Sequence, residues 1–205
     1  MEVIAHRAGN DPDLIVPALD VADAVELDVH LLRGRLEVRH SKAIWPFRRY
    51  WERGIGLLSD EHPVGLDAIL AAAPADARLW IDLKGFSGRF TRRVLREVGD
   101  RPAITMSSRS WWVLRPARRA GVRTYRSVGN RAQRWLALRL RHPGGVVMHE
   151  RLATPGTIDR LRARCSGIAV WAIEEPRRAA ELRELGIVAV IVDDLDLASA
   201  LRAAA

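Results

Sequence analysis

The sequence lacks the residues that define several common classes of protein. A single cysteine, Cys165, excludes a disulfide framework and a zinc site built from several thiolates. No run of about 18 apolar residues occurs, so the sequence predicts no transmembrane helix. The chain begins with Met1-Glu2 and the pattern of a buried strand, which is not typical of a signal peptide. We therefore expect a cytoplasmic protein.

Lysine is also scarce, and arginine carries nearly all of the positive charge. Lys42 and Lys84 are the only lysines among 33 basic side chains, which exceed the 25 acidic ones and give a formal net charge of +8. A basic balance indicates an anionic partner such as a phosphorylated ligand, a nucleic acid or a lipid surface. Charge alone does not choose between these partners.

The 205 residues suit one globular domain with a full hydrophobic core. No linker or low-complexity stretch interrupts them, so we predict a single domain over residues 1–205. Eight short runs rich in Val and Ile alternate with longer segments of helical spacing. The predicted strands are 3–5, 24–29, 79–83, 103–106, 122–125, 145–148, 168–173 and 188–192, and the predicted helices are 65–73, 88–98, 110–120, 131–140, 157–164, 176–185 and 195–203.

Strands that alternate with helices indicate a parallel sheet, because parallel neighbours need a crossover connection. Eight such units predict an α/β protein with the (β/α)8 TIM barrel fold, short beside the typical length of about 250 residues. An open doubly wound sheet is the alternative. That fold usually has a glycine-rich loop after its first strand, whereas this chain has His6-Arg7-Ala8-Gly9 there.

One irregular segment, residues 43–63, is predicted as a short inserted loop after the second strand. It combines arginines with the aromatic residues Trp45, Phe47, Tyr50 and Trp51. Arginines and apolar residues also share the predicted helix at 131–140. Both segments are typical of a packed loop and an ordinary amphipathic helix; peripheral membrane contact is the second interpretation, and nucleic acid is the weakest.

Acidic residues occur inside two otherwise apolar strands. Glu26 and Asp28 are two residues apart and so share one face of the second strand, which points inward in a closed barrel. A buried pair of carboxylates is costly unless a cation or protons compensate it, which favours a metal site over salt bridges to arginines. Asp82 and Lys84 repeat this spacing on the next strand. They predict either an internal ion pair or a third oxygen ligand beside a phosphate-binding ammonium.

These residues, in this order on successive strands, resemble the glycerophosphodiester phosphodiesterase family. The resemblance is carried by His6-Arg7, Glu26-x-Asp28, His40 and Asp82-x-Lys84, and segments 168–173 and 185–193 are similar to the family's last two strands. Members of the family are (β/α)8 enzymes of the phosphatidylinositol-phospholipase-C-like superfamily.

The resemblance implies a metal-dependent phosphodiester hydrolase that acts on small-molecule glycerophosphodiesters or related lysophospholipids. It implies that Glu26, Asp28 and Asp82 hold a divalent cation, Mg²⁺ or Ca²⁺. His6 and His40 would be the general acid and base, and Arg7 and Lys84 would contact the phosphate. Two histidines near neutral pKa suit the proton transfers of phosphodiester cleavage. Trp171 faces either the substrate pocket or the core.

The chain departs from the family pattern at several positions. Ala8 replaces a glycine, Ser41 an aspartate and Asp82 a glutamate, and Asn10 lies in a shortened connection without an assigned role. The departures support an alternative function, a non-catalytic barrel that binds a phosphorylated ligand or an anionic membrane surface. Four further residues near strand ends, Ser107, Arg126, His149 and Glu150, are candidates to line the site. Asp193 and Asp194 are predicted to cap the last helix.

Overall fold

The computed structural model describes residues 1–44, 49–52, 56–58 and 63–204. The strands in these residues are β1 (Glu2–Ala5), β2 (Ala24–Leu32), β3 (Arg35–Val38), β4 (Lys42–Ile44), β5 (Arg49–Glu52), β6 (Gly56–Leu58), β7 (Val64–Gly65), β8 (Leu79–Leu83), β9 (Ile104–Ser108), β10 (Arg123–Val128), β11 (Gly145–His149), β12 (Ile168–Ile173) and β13 (Ala189–Val192). The helices are α1 (Ile15–Val21), α2 (Leu66–Ala72), α3 (Gly88–Val98), α4 (Arg115–Arg119), α5 (Arg131–Ala137), α6 (Pro155–Arg162), α7 (Pro176–Glu184) and α8 (Leu195–Ala203).

Eight of these strands close a parallel barrel in the order β1-β2-β8-β9-β10-β11-β12-β13. β1 pairs in parallel with both β13 and β2, which closes the ring. The (β/α)8 barrel predicted from the alternation of strands and helices is therefore confirmed, and the open sheet is excluded. The carboxyl ends of parallel strands meet on one face, where barrel enzymes place their sites.

Two layers of apolar side chains surround the barrel wall. Residues that alternate inward fill the barrel itself, and they include Ile4, Trp80, Tyr125, Val147 and Ile191. The tilted rings of Trp80 and Tyr125 stack there with their centroids 4.5 Å apart. Outward residues of the same strands pack against the helices in a larger core. The strands are thus buried on both faces, which explains their near-continuous Val and Ile runs.

The insertion after β2 contains more regular structure than predicted. β3 turns back antiparallel on β2, and the short β7 pairs with β3. β4, β5 and β6 form a separate antiparallel sheet, so the prediction of an irregular loop is wrong for these strands. Two hairpins satisfy the backbone hydrogen bonds that a loop would leave to water. Trp45, Phe47, Arg48 and Arg53 lie outside the described residues.

The helices differ from prediction mainly at their ends. The segment predicted as one helix at 110–120 begins with a 3₁₀ turn at Trp111–Leu114, and the α-helix starts only at Arg115. Helix α5 ends at Ala137, three residues early. Side-chain caps at Ser87, Asn130, Thr154 and Asp194 begin four of the helices. No helix of the described residues is long and apolar enough to cross a bilayer.

Candidate active site

A cavity of about 140 Å³ opens at the carboxyl ends of the barrel strands. The residues around it are His6, Arg7, Glu26, His40, Trp80, Asp82, Lys84, Ser107, Arg109, Ser127, Val147, Trp171 and Ile191. Every candidate site residue named by the resemblance lines this cavity except Asp28. That side chain is fully buried and contacts the lining residue Lys84. The strand-end residues are thus brought together from four separate parts of the chain.

Three carboxylates from two neighbouring strands form one cluster. The parallel register of β2 and β8 places Asp28 beside Asp82, and the pleat puts Glu26 on the same face. Each of the three offers an oxygen, and these oxygens lie within 4.8 Å of one another. Glu26 and Asp28 are buried, and Asp82 is partly buried. An all-oxygen set of this kind can hold a hard divalent cation.

Lys84 reaches into the same cluster. Its Nζ lies 2.7 Å from Asp28 Oδ1, and it donates a hydrogen bond to Asp82 Oδ2. Burial works against its charge, but the negative charges of Asp82, Asp28 and Glu26 outweigh burial and raise the pKa of Lys84. The ammonium is therefore charged at neutral pH. The internal ion pair, one of the two alternatives for this strand, is present, and the carboxylates hold the lysine at the cavity wall.

The pKa values of the two buried acids on β2 are shifted in opposite directions. Burial raises the pKa of Glu26, and the negative charge of Asp28 raises it further. Burial also acts on Asp28, but the charge and hydrogen bond of Lys84 outweigh it and lower the pKa of that carboxyl. Because like charges repel in a buried site, the pair favours one ionised and one protonated acid. A divalent cation would relieve the same repulsion.

Asn10 is a site residue to which the sequence analysis assigns no role. Its Nδ2 donates to Asp28 Oδ2 at 3.0 Å, and its Oδ1 accepts the Asp28 backbone N–H at 2.8 Å. This pair of hydrogen bonds fixes both the strand and the carboxylate. A 3₁₀ turn at Ala8–Asn10, directly after β1, brings the amide there. In the sequence, the position of Asn10 shortly after the first strand is the signal that places it near the site.

His6 ends β1 and is oriented by Asp193 at the end of β13. The two side chains meet at 2.5 Å between His6 Nδ1 and Asp193 Oδ1, while His6 Nε2 lies 4.0 Å from Glu26 Oε2. Burial lowers the pKa of His6, but Asp193 and Glu26 more than compensate, so the pKa of the imidazole is raised. The arrangement directs Nε2 toward the cavity and the carboxylates.

The predicted helix cap at Asp193 is therefore wrong, because this carboxylate faces His6. Its neighbour Asp194 caps α8 as predicted, since its Oδ1 accepts the backbone N–H of Asp196 at 2.7 Å and of Leu197 at 3.1 Å. Two adjacent aspartates after a strand look identical in sequence. Only the direction of each side chain separates their roles.

Arg7, in the turn after β1, contacts both Glu26 and His40. Its backbone is left-handed, with φ of 56°, and its N–H donates to Glu26 Oε2 at 2.9 Å. Its Nη2 lies 2.7 Å from His40 Nε2. A non-glycine residue in this conformation costs about 1 kcal/mol or more and occurs where the surroundings enforce it. The turn directs the guanidinium across the cavity mouth to His40.

Ser107 belongs to the site and holds Asp82. Its hydroxyl donates to Asp82 Oδ1 at 2.7 Å and accepts a hydrogen bond from Trp80 Nε1 at 3.1 Å. Trp171 also lines the cavity. A bulge between Trp171 and Ile173, with Ala172 at φ of 63°, interrupts the pairing of β12 next to it. Bulges of this type often re-aim side chains beside sites.

The remaining candidates near strand ends lie outside the cavity lining. Arg126 points out of the barrel, and its guanidinium carbon lies 5.2 Å from the ring centroid of Trp111. Glu150 pairs with Arg178 at 3.3 Å. The ring of His149 packs behind Trp171, with 5.7 Å between the ring centroids.

Comparisons with known proteins support the fold. No family model matches this chain, and no curated protein matches it. Among solved structures, it is similar to a glycerophosphodiester phosphodiesterase from Thermotoga maritima, with a TM-score of 0.75 and 18% identity over 98% of both chains. A protein from Agrobacterium tumefaciens described as a glycerophosphoryl diester phosphodiesterase has a TM-score of 0.73 and 19% identity, covering 100% of this chain and 98% of its own.

A third similar structure is an Oleispira antarctica phosphodiesterase in complex with the product sn-glycerol-3-phosphate. Its TM-score is 0.71 and its identity 17%, over 100% of this chain and 96% of that one. Nearly complete coverage at this similarity confirms the barrel expected from the resemblance. At such low identity the likeness extends to the fold, and the chemistry is argued from the site itself.

Proposed function

We propose that this protein is a glycerophosphodiester phosphodiesterase, a metal-dependent hydrolase of glycerophosphodiesters or related lysophospholipids. The observation that carries the proposal is the convergence of His6, His40, Glu26 and Asp82 on one cavity, with the buried Asp28 in the same cluster of carboxylates. The structures that share the barrel, including one with sn-glycerol-3-phosphate bound, are phosphodiesterases or are described as such.

The two histidines supply the proton transfers of diester cleavage. One imidazole removes a proton from the attacking hydroxyl, and the other protonates the departing alkoxide. His6 suits the acid role, because Asp193 and Glu26 stabilise its protonated form. His40 is then the candidate for the base role, and its Nε2 lies 2.7 Å from Arg7 Nη2 in the cavity wall. Arg7 and Lys84 bring positive charge to the phosphate at the cavity wall.

Glu26, Asp28 and Asp82 would hold the divalent cation. Their oxygens are close enough to share one ion, and oxygen ligands without sulfur or imidazole favour Mg²⁺ or Ca²⁺. The ion would neutralise negative charge that develops on the phosphate oxygens. Calorimetric titration with each cation tests the site. We expect binding by the wild type and its loss in Glu26→Gln, which keeps the size of the side chain and removes its charge.

Hydrolysis of glycerophosphocholine, glycerophosphoethanolamine and lysophospholipids in the presence of Mg²⁺, Ca²⁺ or Mn²⁺ tests the activity. We expect His6→Ala and His40→Ala each to lower kcat by about 100-fold or more. His142→Gln is the matched control, because it removes a buried histidine whose Nε2 contacts the Ala137 carbonyl, away from the cavity. Full activity in both His6→Ala and His40→Ala would refute the proposed enzymatic function.

The second candidate function is a non-catalytic barrel that binds a phosphorylated ligand or an anionic membrane surface. The observation in its favour is Lys84, whose ammonium pairs with both Asp28 and Asp82 and so offsets part of their negative charge. Such a protein needs no second cation. It predicts no heat on titration with Mg²⁺ or Ca²⁺, and binding of inorganic phosphate that is the same in the wild type and in Glu26→Gln.

We also propose peripheral membrane contact, and two exposed aromatic residues near the cavity support a specific face for it. Phe86 and Trp112, 78% and 64% exposed, follow the cavity strands β8 and β9. Trp112 Nε1 donates to the Phe86 carbonyl at 2.9 Å, so the two aromatic residues adjoin beside the cavity mouth. Exposed aromatic side chains near arginines are typical of membrane-interface contacts.

Co-sedimentation with vesicles of phosphatidylglycerol or phosphatidylcholine tests this face. We expect binding to phosphatidylglycerol vesicles that the double variant Phe86→Ala with Trp112→Ala weakens by roughly tenfold. Trp135→Ala is the comparison variant, because Trp135 is the exposed aromatic residue of α5. If only Trp135→Ala weakens vesicle binding, the membrane contact lies on α5 and not at Phe86 and Trp112. Cell fractionation would test the expected cytoplasmic location.

A further inference from the structure

Arg109 is a cation in the cavity wall that the proposed chemistry does not use. It follows β9, lines the cavity and is exposed. No acidic side chain of the described residues forms an ion pair with it. A guanidinium presents several N–H donors in a planar fork that matches carboxylate and phosphate oxygens. Its charge and hydrogen bonds are therefore available to a ligand.

Gly129 determines where this guanidinium lies. A Cβ atom added at Gly129 would lie 3.2 Å from Arg109 Nη2 and 3.3 Å from Cζ, so the glycine leaves room for the guanidinium to rest against the end of β10. Arg109 thus leans from β9 toward β10. The carboxylates lie on the other side, on β2 and β8, with Lys84 directly after β8. The guanidinium is directed away from the phosphate-binding side of the cavity.

The neighbouring part of the mouth is also positive. Arg151 Nη2 lies 3.2 Å from His149 Nε2, and burial together with the charges of Arg151 and Arg109 lowers the pKa of His149. Two nearby carboxylates, Glu150, which is paired with Arg178, and the exposed Glu174, act in the opposite direction and favour the charged imidazole. The arginines outweigh them at His149, so this part of the mouth favours an anionic group over a cationic headgroup.

We infer that Arg109, held against Gly129, forms a subsite for a second anionic group of the substrate, beyond the scissile phosphate. The inference rests on the proposed function and narrows its substrate class to diesters whose alcohol part carries a phosphate or a carboxylate. Arg109 contacts that group directly. Gly129 acts as a positioning residue, because it leaves the space in which the guanidinium lies.

Matched pairs of substrates test the subsite. The phosphate pair is glycerophosphoinositol 4-phosphate and glycerophosphoinositol, and the carboxylate pair is N-acetylglycerophosphoserine and its methyl ester. We expect the wild type to favour the member with the second anionic group in at least one pair by roughly tenfold in kcat/KM, the size of one exposed charge-assisted hydrogen bond. The pair that shows the preference identifies the anion. Arg109→Gln should abolish the preference through KM while cleavage of the member that lacks the second anionic group persists.

Two further variants separate a specific contact from general attraction. Gly129→Ala keeps every charge but requires the guanidinium to move by a few tenths of an ångström, and we expect a smaller preference than in the wild type, with less loss than in Arg109→Gln. Arg119→Gln removes an exposed charge at the end of α4 and should preserve the preference. Equal losses for both members of each pair in Arg109→Gln would overturn the inference, because they would place Arg109 on the scissile phosphate. The absence of any preference in the wild type would also overturn it.

A binding measurement keeps this result separate from the proposed hydrolysis. Calorimetry compares inositol 1,4-bisphosphate with inositol 1-phosphate, and 3-phosphoglycerate with glycerol 3-phosphate. If no diester is cleaved but the wild type binds the ligand with the additional phosphate or carboxylate more tightly and Arg109→Gln does not, hydrolysis fails and the subsite stands. If diesters are cleaved and neither pair differs in Kd, the subsite fails and hydrolysis stands.

Discussion

The contact between His6 and Asp193 can be tested without a substrate. Replacing Asp193 by Asn removes the carboxylate that lies 2.5 Å from His6 Nδ1 and leaves an amide of nearly the same size. A hydrogen bond between charged partners contributes about 1.5–3 kcal/mol when it is shielded from water. The side chain of Asp193 is 61% exposed, so solvent screening reduces the coupling to about 1 kcal/mol. The pKa of His6 should therefore fall in Asp193→Asn.

Histidine ring signals in nuclear magnetic resonance spectra measure this change. The chain has six histidines, and the signal that disappears in His6→Gln identifies His6. The matched control is Asp194→Asn. Asp194 caps α8 and Asn is an equally good cap, so this replacement should preserve the fold and leave the titration of His6 unchanged.

The same contact predicts how stability depends on pH. The folded state raises the pKa of His6, so it binds the proton more tightly than the unfolded chain. The stabilisation is fully present below the unfolded pKa of about 6.5 and is lost as the pH rises through the folded pKa. The pKa of Asp193 is lowered by its hydrogen bond to His6, so the contact also weakens in acid. In denaturant unfolding, the free energy of unfolding of the wild type should exceed that of Asp193→Asn by about 1 kcal/mol near pH 5.5 and by less near pH 8.5. A pKa of His6 that stays constant or rises in Asp193→Asn would refute this account.

Three further outcomes follow from the hydrogen bonds and charges around the carboxylates. Ser107→Ala should lower the free energy of unfolding by about 1–3 kcal/mol, because it leaves the buried Trp80 Nε1 and one oxygen of Asp82 without their partner; an unchanged denaturation midpoint would contradict this. Asn10→Ala should cost about 1–2 kcal/mol and weaken Ca²⁺ binding in calorimetry, because Asp28 loses the amide that orients it; unaltered affinity would show that the orientation is immaterial. Ca²⁺ at 100 times its Kd should stabilise the folded wild type by about 2.7 kcal/mol, while Asp82→Asn should show a much smaller increase in Tm at the same concentration.

Much of the architecture could be predicted because it depends on local patterns. Each barrel strand is buried on both faces, so runs such as Val190-Ile191-Val192 stand out from the amphipathic helices around them. The errors occurred where tertiary contacts replace a local signal. Segment 43–63 lacks long apolar runs, yet β4, β5 and β6 pair with one another there, because pairing partners satisfy the backbone.

The candidate site could be predicted in part for the same reason. Spacing by two places Glu26 with Asp28 and Asp82 with Lys84 on one face of each strand, and this holds for any pleated strand. Spacing cannot show that Lys84 pairs with acids on both β2 and β8. It also cannot show that Asn10, which belongs to no motif, hydrogen-bonds Asp28. Those contacts depend on the register between strands and on the turn that follows β1.

The sequence by itself determined the alternation of strands and helices, the parallel barrel and the set of residues at the carboxyl ends of its strands, because hydrophobic periodicity and pleat act within a few residues. The tertiary structure alone decided which of two adjacent aspartates faces His6, which serine supports Asp82 and which arginine of the cavity wall has no acidic partner among the described residues. These choices depend on side-chain directions and distances between residues far apart in the chain. Closing β1 onto β13 brings Asp193 to His6 across 187 positions of sequence, and no local pattern encodes that contact.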